Sequence, residues 1–121
     1  MTPETKLKQR IRLAVGQLDY VVLWDNPVGV ATFDRKGRRW SVHYGLVKGA
    51  ADTVGIVKPH GRWLALEVKT GKRKLTKEQR LFLNLINSMG GYGAEVRSLG
   101  EALHHAHQAH VGAAPPSVAL L

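Results

Sequence analysis

Ala51-Asp52-Thr53-Val54-Gly55-Ile56-Val57-Lys58-Pro59-His60-Gly61-Arg62-Trp63-Leu64-Ala65-Leu66-Glu67-Val68-Lys69 is the stretch on which the fold turns. Two β-rich runs, Thr53 to Val57 and Trp63 to Val68, flank Lys58, Pro59, His60, Gly61 and Arg62, which is hairpin-turn chemistry. Side chains alternate along a strand, so Leu64, Leu66 and Val68 share one face, and Trp63, Ala65, Glu67 and Lys69 share the other. A two-residue loop of Pro59 and His60 pairs Lys58 with Gly61, and counting back sets Asp52 opposite Glu67. A four-residue loop changes the partner but can keep the face.

Working upstream, Tyr20 to Trp24 is another β-rich run, and Val28 to Phe33 and Trp40 to Tyr44 flank a polar turn containing Gly37; together they read as strands of a meander. Before them, Thr2 and Pro3 open a helix, and Leu7, Ile11, Ala14, Val15 and Leu18 recur on one face, which predicts an amphipathic helix over 3–18. Downstream, Thr76 and Gln79 match a capping box, Leu81, Phe82, Leu85, Ile86 and Met89 form an apolar stripe, and Gly90 ends it, predicting a helix over 77–89. Tyr92 to Arg97 reads as a strand. Ser98 with Glu101 opens a last helix.

Helix, four or five strands, helix, strand, helix describes an α/β fold, a mixed β-sheet flanked by helices. The chain has 121 residues, room for one sizeable core. We expect one domain over 1–110 and a tail over 111–121, where Pro115-Pro116 and small residues predict a loose segment or one that meets a partner subunit. With no cysteine, disulfides and thiolate zinc sites are excluded. No apolar stretch approaches the roughly 20 residues that span a bilayer, and the charged first residues do not read as a signal peptide, so a cytoplasmic protein is expected. Eighteen Lys plus Arg against nine Asp plus Glu leave a formal charge of +9, which suits a polyanionic partner; nucleic acid fits, as do acidic membranes or proteins.

Two carboxylates directly opposed across an antiparallel pair have Cβ atoms about 4.5 to 5.5 Å apart and repel each other. A Mg²⁺ ion between Asp52 and Glu67 would resolve that repulsion, since it takes hard oxygen ligands and admits a substrate phosphate to its shell. Lys69 adds a positive group. Hydrolysis of a phosphodiester needs an activated water, a Lewis acid and neutralisation of developing charge, and this trio can supply them. Taken alone, Glu67 and Lys69 also fit a solvated ion pair, and Asp52 a strand start.

Gly49-Ala50-Ala51-Asp52, then Glu67-Val68-Lys69, then Gln79 on a helix closing at Gly90-Gly91, resemble the virus-type replication-repair nucleases, a branch of the restriction-endonuclease-like PD-(D/E)xK phosphodiesterases; the resemblance covers about residues 4 to 97. It implies that Asp52 and Glu67 bind Mg²⁺, with Mn²⁺ substituting, that the Val68 carbonyl completes the ligand set, and that Lys69 orients or activates the water. Glu4 matches an additional acidic residue of the family, and Asn26 and Gly29 a loop beside the site. The name-giving proline is absent, since Ala51 precedes Asp52, a position where this branch often carries small residues. The implied activity is a homodimeric, structure-selective DNA endonuclease favouring branched DNA such as four-way junctions and leaving 5′-phosphate and 3′-hydroxyl ends. Single-strand, flap or sequence-specific cutting on the same scaffold, or a domain that only binds nucleic acid, are the alternatives.

Other residues carry two readings each. Gln79 fits the site or the capping box alone, and Glu4 the site or the helix dipole. Lys72, Arg73, Lys74, Lys77 and Arg80 can track a phosphate backbone or form a solvated loop; Arg35, Lys36, Arg38 and Arg39, beside Trp40, can hold a second DNA arm or simply cap an exposed turn; and Asn26 is placed with the nucleic-acid contacts. His104, His105, His107 and His110 raise zinc, but their helix offers only Glu101 as a further ligand, and histidine near a helix C-terminus is favourable anyway. Gly71-Lys72 is no P-loop, because Leu66 and Arg73 stand where Gly and Ser or Thr are required.

Overall fold

In the computed structural model, which describes residues 1–120, α1 (Pro3–Gly16) leads into β1 (Val21–Asp25), the hairpin β2 (Gly29–Arg35) and β3 (Arg38–Tyr44), then β4 (Thr53–Val57), β5 (Arg62–Val68), α2 (Lys77–Ser88), β6 (Tyr92–Val96) and α3 (Leu99–His110). The main sheet has the order β1-β4-β5-β6; β1, β4 and β5 are antiparallel, and β6 runs parallel to β5. This is the mixed sheet flanked by helices that the pattern predicts. The β4-β5 ladder pairs Val57 with Arg62 and Thr53 with Leu66, the register that carries Asp52 toward Glu67.

The alternation along β5 sorts the core into two layers. Leu64, Leu66 and Val68 join Tyr92, Ala94 and Val96 of β6, Ile11 and Val15 of α1, and Ala102, Ala106 and Ala109 of α3. Ala65, on the opposite face, packs with Phe82 and Leu83 of α2, Leu75, and Ala50 and Ala51 ahead of β4. The small α3 residues bring that helix close to the sheet. Arg62 ties the far end together: its guanidinium lies 5.2 Å from the Tyr92 ring centroid and donates to the carbonyls of Gly90, Gly91, Ala109 and Ala113. Charge-assisted bonds of this kind contribute most when partly buried, so Arg62→Ala is expected to destabilise the protein by about 2 kcal/mol in urea unfolding.

Three expectations change. The stretch read as a meander splits, because β1 pairs with β4 while β2 and β3 form a separate two-stranded ribbon. Val21 and Leu23 of β1 enter the core, whereas β2 and β3 bury no side chain fully. The ribbon closes on Lys36-Gly37, both at positive φ, as a tight hairpin turn between right-twisted strands requires. Second, α1 stops at Gly16, short of Leu18, which still packs on the core from the following turn. Third, the tail lies along α2: Asn84 and Arg80 donate to the Val118 and Ala119 carbonyls at 3.0 and 2.9 Å, and Val118 packs on the α2 layer. α2 supplies the donors that anchor this segment.

The histidines of α3 serve packing. His105 Nδ1 meets the Tyr92 hydroxyl at 2.6 Å, and His110 stacks on Tyr20 with centroids 4.1 Å apart while its Nδ1 meets the Lys58 carbonyl. Burial, and then the neighbouring His104, lower the His105 pKa, favouring the neutral ring beside the Tyr92 hydroxyl. Among the described residues, no helix is long and apolar enough to cross a membrane.

Candidate active site

The site forms at one end of the main sheet, where β4 begins and β5 finishes. Glu67 and Lys69 occupy the α2 side of β5 and are nearly fully buried, at 2% and 3% exposure. Asp52 precedes β4, and its N–H donates to Glu67 Oε2 at 3.0 Å. Lys69 Nζ stands 3.8 Å from Glu67 Oε1, and its backbone N–H continues the pairing to Val96. Val68, between them, turns its side chain into the opposite core layer. Asp52, Glu67 and Lys69 are therefore one constellation, and the surface ion pair is excluded by burial.

Gln79 carries both of its readings at once. Its Oε1 accepts from the Thr76 N–H at 2.8 Å and its backbone N–H donates to Thr76 Oγ1, completing the capping box. Its Nε2 donates to Glu67 Oε1 at 3.0 Å. The cap that starts α2 thus also orients the Glu67 carboxylate. Gly49 permits this approach: it sits at φ +87°, and a Cβ there would fall 2.5 Å from the Glu78 carbonyl carbon.

The first turns of α1 close the site from the other side. Lys8 Nζ lies 3.1 Å from Asp52 Oδ1 and 3.9 Å from Glu4 Oε2, the latter an i,i+4 pair on the helix. Arg73 reaches Glu4 Oε2 at 3.2 Å, and Arg97 holds the loop that carries Arg73 by donating to the Gly71 and Arg73 carbonyls. Lys72, Lys74 and Lys77 are exposed along this rim. Arg80 instead turns to the Leu75 and Ala119 carbonyls.

Asn26 departs from its expected place on DNA. It is buried: its backbone N–H donates to the Asp52 carbonyl at 2.7 Å, Nδ2 donates to the Ala51 carbonyl, and Oδ1 accepts from the Leu46 N–H. An amide so engaged braces the backbone around Asp52. Arg35, Lys36, Arg38 and Arg39 cluster at the tip of the separate β2-β3 ribbon near the stacked Phe33 and Trp40 rings, with Arg39 paired to Asp34. Sequence reasoning missed Lys8 and Arg97. The Glu4 to Lys8 spacing is the one local signal for Lys8; Arg97 had none.

The electrostatics are dominated by burial. Desolvation pushes the Glu67 carboxyl up from 4.5 to about 8; the nearby Asp52 carboxylate adds to the rise, and the Asp52 N–H and Lys69 oppose it. Asp52 Oδ2 and Glu4 Oε1 are buried without a hydrogen-bond partner. Orphaned buried acceptors are costly. No protein-family model matches the chain, and no curated protein matches it. The local chemistry must then speak for itself.

Carboxylate oxygens lacking protein donors are what a hard divalent cation takes. Among the described residues, no three His, Asp or Glu side chains are gathered closely enough to hold an ion by themselves. Magnesium sites built from one or two carboxylates, with waters and substrate phosphate filling the shell, do not require such a cluster. Asp52 Oδ2 offers such an oxygen, with the Glu67 carboxylate beside it held by the Asp52 N–H and Gln79. Access is open at Asp52, which lines a cavity of about 560 Å³ between α1 and β1 with Lys8, Gln9, Arg12 and Asn26.

Proposed function

We propose that this protein is a metal-dependent DNA endonuclease with a restriction-endonuclease-like PD-(D/E)xK core, similar to the virus-type replication-repair nucleases, that cuts branched DNA such as four-way junctions. The observation that carries this reading is the buried Glu67 and Lys69 with the half-buried Asp52 beside them and one of its carboxylate oxygens orphaned, in a chain of formal charge +9. A domain that only bound nucleic acid would gain nothing from two carboxylates forced together in a basic protein.

Asp52 and Glu67, with the Val68 carbonyl, would hold Mg²⁺ or Mn²⁺. Bound there, the ion supplies Lewis acidity to a phosphoryl oxygen and acidifies a water. Glu67 must lose its proton to act as a ligand, and Gln79 and the Asp52 N–H hold its two oxygens in place while it does. Lys69, fixed by β5 beside Glu67, orients the attacking water and offsets charge as it develops on the phosphoryl group. Glu4, from α1, adds negative charge near Asp52 through the shared Lys8. The exposed Lys72, Lys74 and Lys77 follow the phosphate backbone away from the site, and the ribbon tip, with Arg35, Lys36, Arg38 and Arg39, holds a second arm of the DNA.

Symmetric cuts across a junction need two sites related by a two-fold axis, so we propose a homodimer. Support comes from an apolar strip on the α2 side of the sheet, where Val22, Ile56 and Trp63 are adjacent in register and exposed, with Trp24 next to them. Contiguous exposed apolar surface of this kind marks interfaces. Light scattering behind size exclusion is expected to give twice the chain mass, and Trp63→Glu to shift it toward the chain mass. A monomer at high concentration removes the dimer.

The decisive test is a labelled panel of duplex, single strand, flap and four-way junction, incubated with Mg²⁺ or with EDTA. Cutting that requires Mg²⁺ and favours the junction supports the whole reading. Another preferred substrate keeps the chemistry and replaces the DNA structure. Tight binding with no metal-dependent cutting would leave a binding module.

A further inference from the structure

We propose that Lys8 is the resident counter-cation of this site, and that it exchanges Asp52 for the phosphodiester of the bound strand when a divalent ion binds at that carboxylate. The inference rests on the nuclease reading and assigns a role that the motif residues do not contain.

Lys8 Nζ sits 3.1 Å from Asp52 Oδ1 and 3.9 Å from Glu4 Oε2, so one ammonium bridges two carboxylates contributed by different parts of the chain. It holds one oxygen of Asp52 closely and Glu4 Oε2, which Arg73 hydrogen-bonds, only at longer range, while Asp52 Oδ2 and Glu4 Oε1 remain buried and unpartnered. A single point charge with three donors therefore under-serves this pair, and a divalent ion offers both more charge and more coordination positions. The two cations cannot share Asp52 closely, because unit charges about 4 Å apart already repel appreciably even at the higher dielectric of a protein surface.

The geometry also gives Lys8 somewhere to go. Its side chain is 30% exposed and lines the cavity of about 560 Å³ that opens beside Asp52. Gln9 and Arg12, on the same side of α1, line it too, and Arg12 is held by Asp25 at 3.2 Å. Lys8 is thus the wall's movable cation, on a flexible four-carbon stem. Pockets for small ligands run from about 300 to 1,000 Å³, so the cavity has room for one nucleotide. A phosphate arriving there neutralises the charge that Lys8 no longer shares with Asp52.

Two measurements test this, each with Lys8→Met and with Lys8→Arg, which keeps the charge. In calorimetric titration with Mn²⁺ and no DNA, Lys8→Met is expected to bind about tenfold tighter than the natural protein, and Lys8→Arg no tighter. In DNA binding on a Lys69→Ala background, so that no strand is cut, Lys8→Met is expected to reduce the salt slope by about 1 with Mg²⁺ present and to leave it unchanged in EDTA. Equal Mn²⁺ affinity in the natural protein and Lys8→Met overturns the inference and leaves the nuclease reading standing. A slope change that is the same with and without Mg²⁺ also overturns it, making Lys8 an ordinary phosphate contact. Failure of every variant and the natural protein to bind Mn²⁺ overturns both.

Discussion

Lys69→Ala is expected to lower the Mg²⁺-dependent cleavage rate by roughly a thousandfold, the scale of losing a positioned proton-transfer or charge-stabilising group. The loss should fall on the rate and spare affinity, because Lys69 is 3% exposed, whereas Lys72, Lys74 and Lys77, placed on the phosphate backbone, are exposed. Lys69→Arg is no rescue: the guanidinium is larger and planar, and the pocket is closed around a single ammonium. Single-turnover rates and a direct binding assay separate the two effects. Equal losses of rate and affinity would recast Lys69 as a contact to DNA, and an unchanged rate would remove it from the mechanism. Folding must be checked alongside, since Lys69 removal leaves Glu67 with one fewer compensating charge.

The second large effect is on stability. Burial and the Asp52 carboxylate raise the folded Glu67 pKa from 4.5 to about 8, so between those values the folded protein holds a proton that the unfolded chain has released. Stability from this group is complete below pH 4.5 and is lost as pH rises through about 8. Converted at about 1.4 kcal/mol per tenfold, the loss amounts to roughly 5 kcal/mol, a large share of a typical domain's stability. Glutamine imitates the protonated acid at every pH. Glu67→Gln is therefore expected to match the natural protein near pH 4.5 and to exceed it increasingly toward pH 9 in metal-free urea unfolding. Comparing the two proteins at each pH cancels the titration of groups remote from Glu67, while the Asp52 carboxylate, which is coupled to it, belongs to the same measured difference. Mg²⁺ should reverse the order at high pH, because it stabilises the ionised carboxylate and has no comparable hold on an amide. A difference between the proteins that does not change with pH would show that Glu67 ionises normally.

Much of this architecture was legible in local pattern. The hairpin turn between β4 and β5 sets the register, and strand alternation then puts Glu67 and Lys69 on one face and Leu64, Leu66 and Val68 on the other. Thr76 and Gln79 mark the start of α2, since a capping box is an interaction between residues three apart. Nearest-neighbour chemistry of this sort needs no knowledge of the rest of the chain.

The remainder depends on which distant elements meet, and periodicity does not encode that. β1 could have continued into the β2-β3 ribbon; it pairs with β4 because Val21 and Leu23 enter the core only there. Asn26 looked like a loop residue free to meet DNA and is instead a brace, a role created by Ala51 and Asp52 folding back onto it. The capping glutamine became a positioning group because α2 docks its first turn against Glu67. Lys8 and Glu4 reach Asp52 only because α1 is packed on the sheet. By itself, then, the sequence determined most of the elements and, by either hairpin loop it allowed, the side on which the acidic pair stands, since these follow from turns and side-chain period. Only the tertiary structure decided that Glu67 is buried and driven toward protonation and that Lys8 reaches Asp52, because desolvation and charge act through space among groups far apart along the chain.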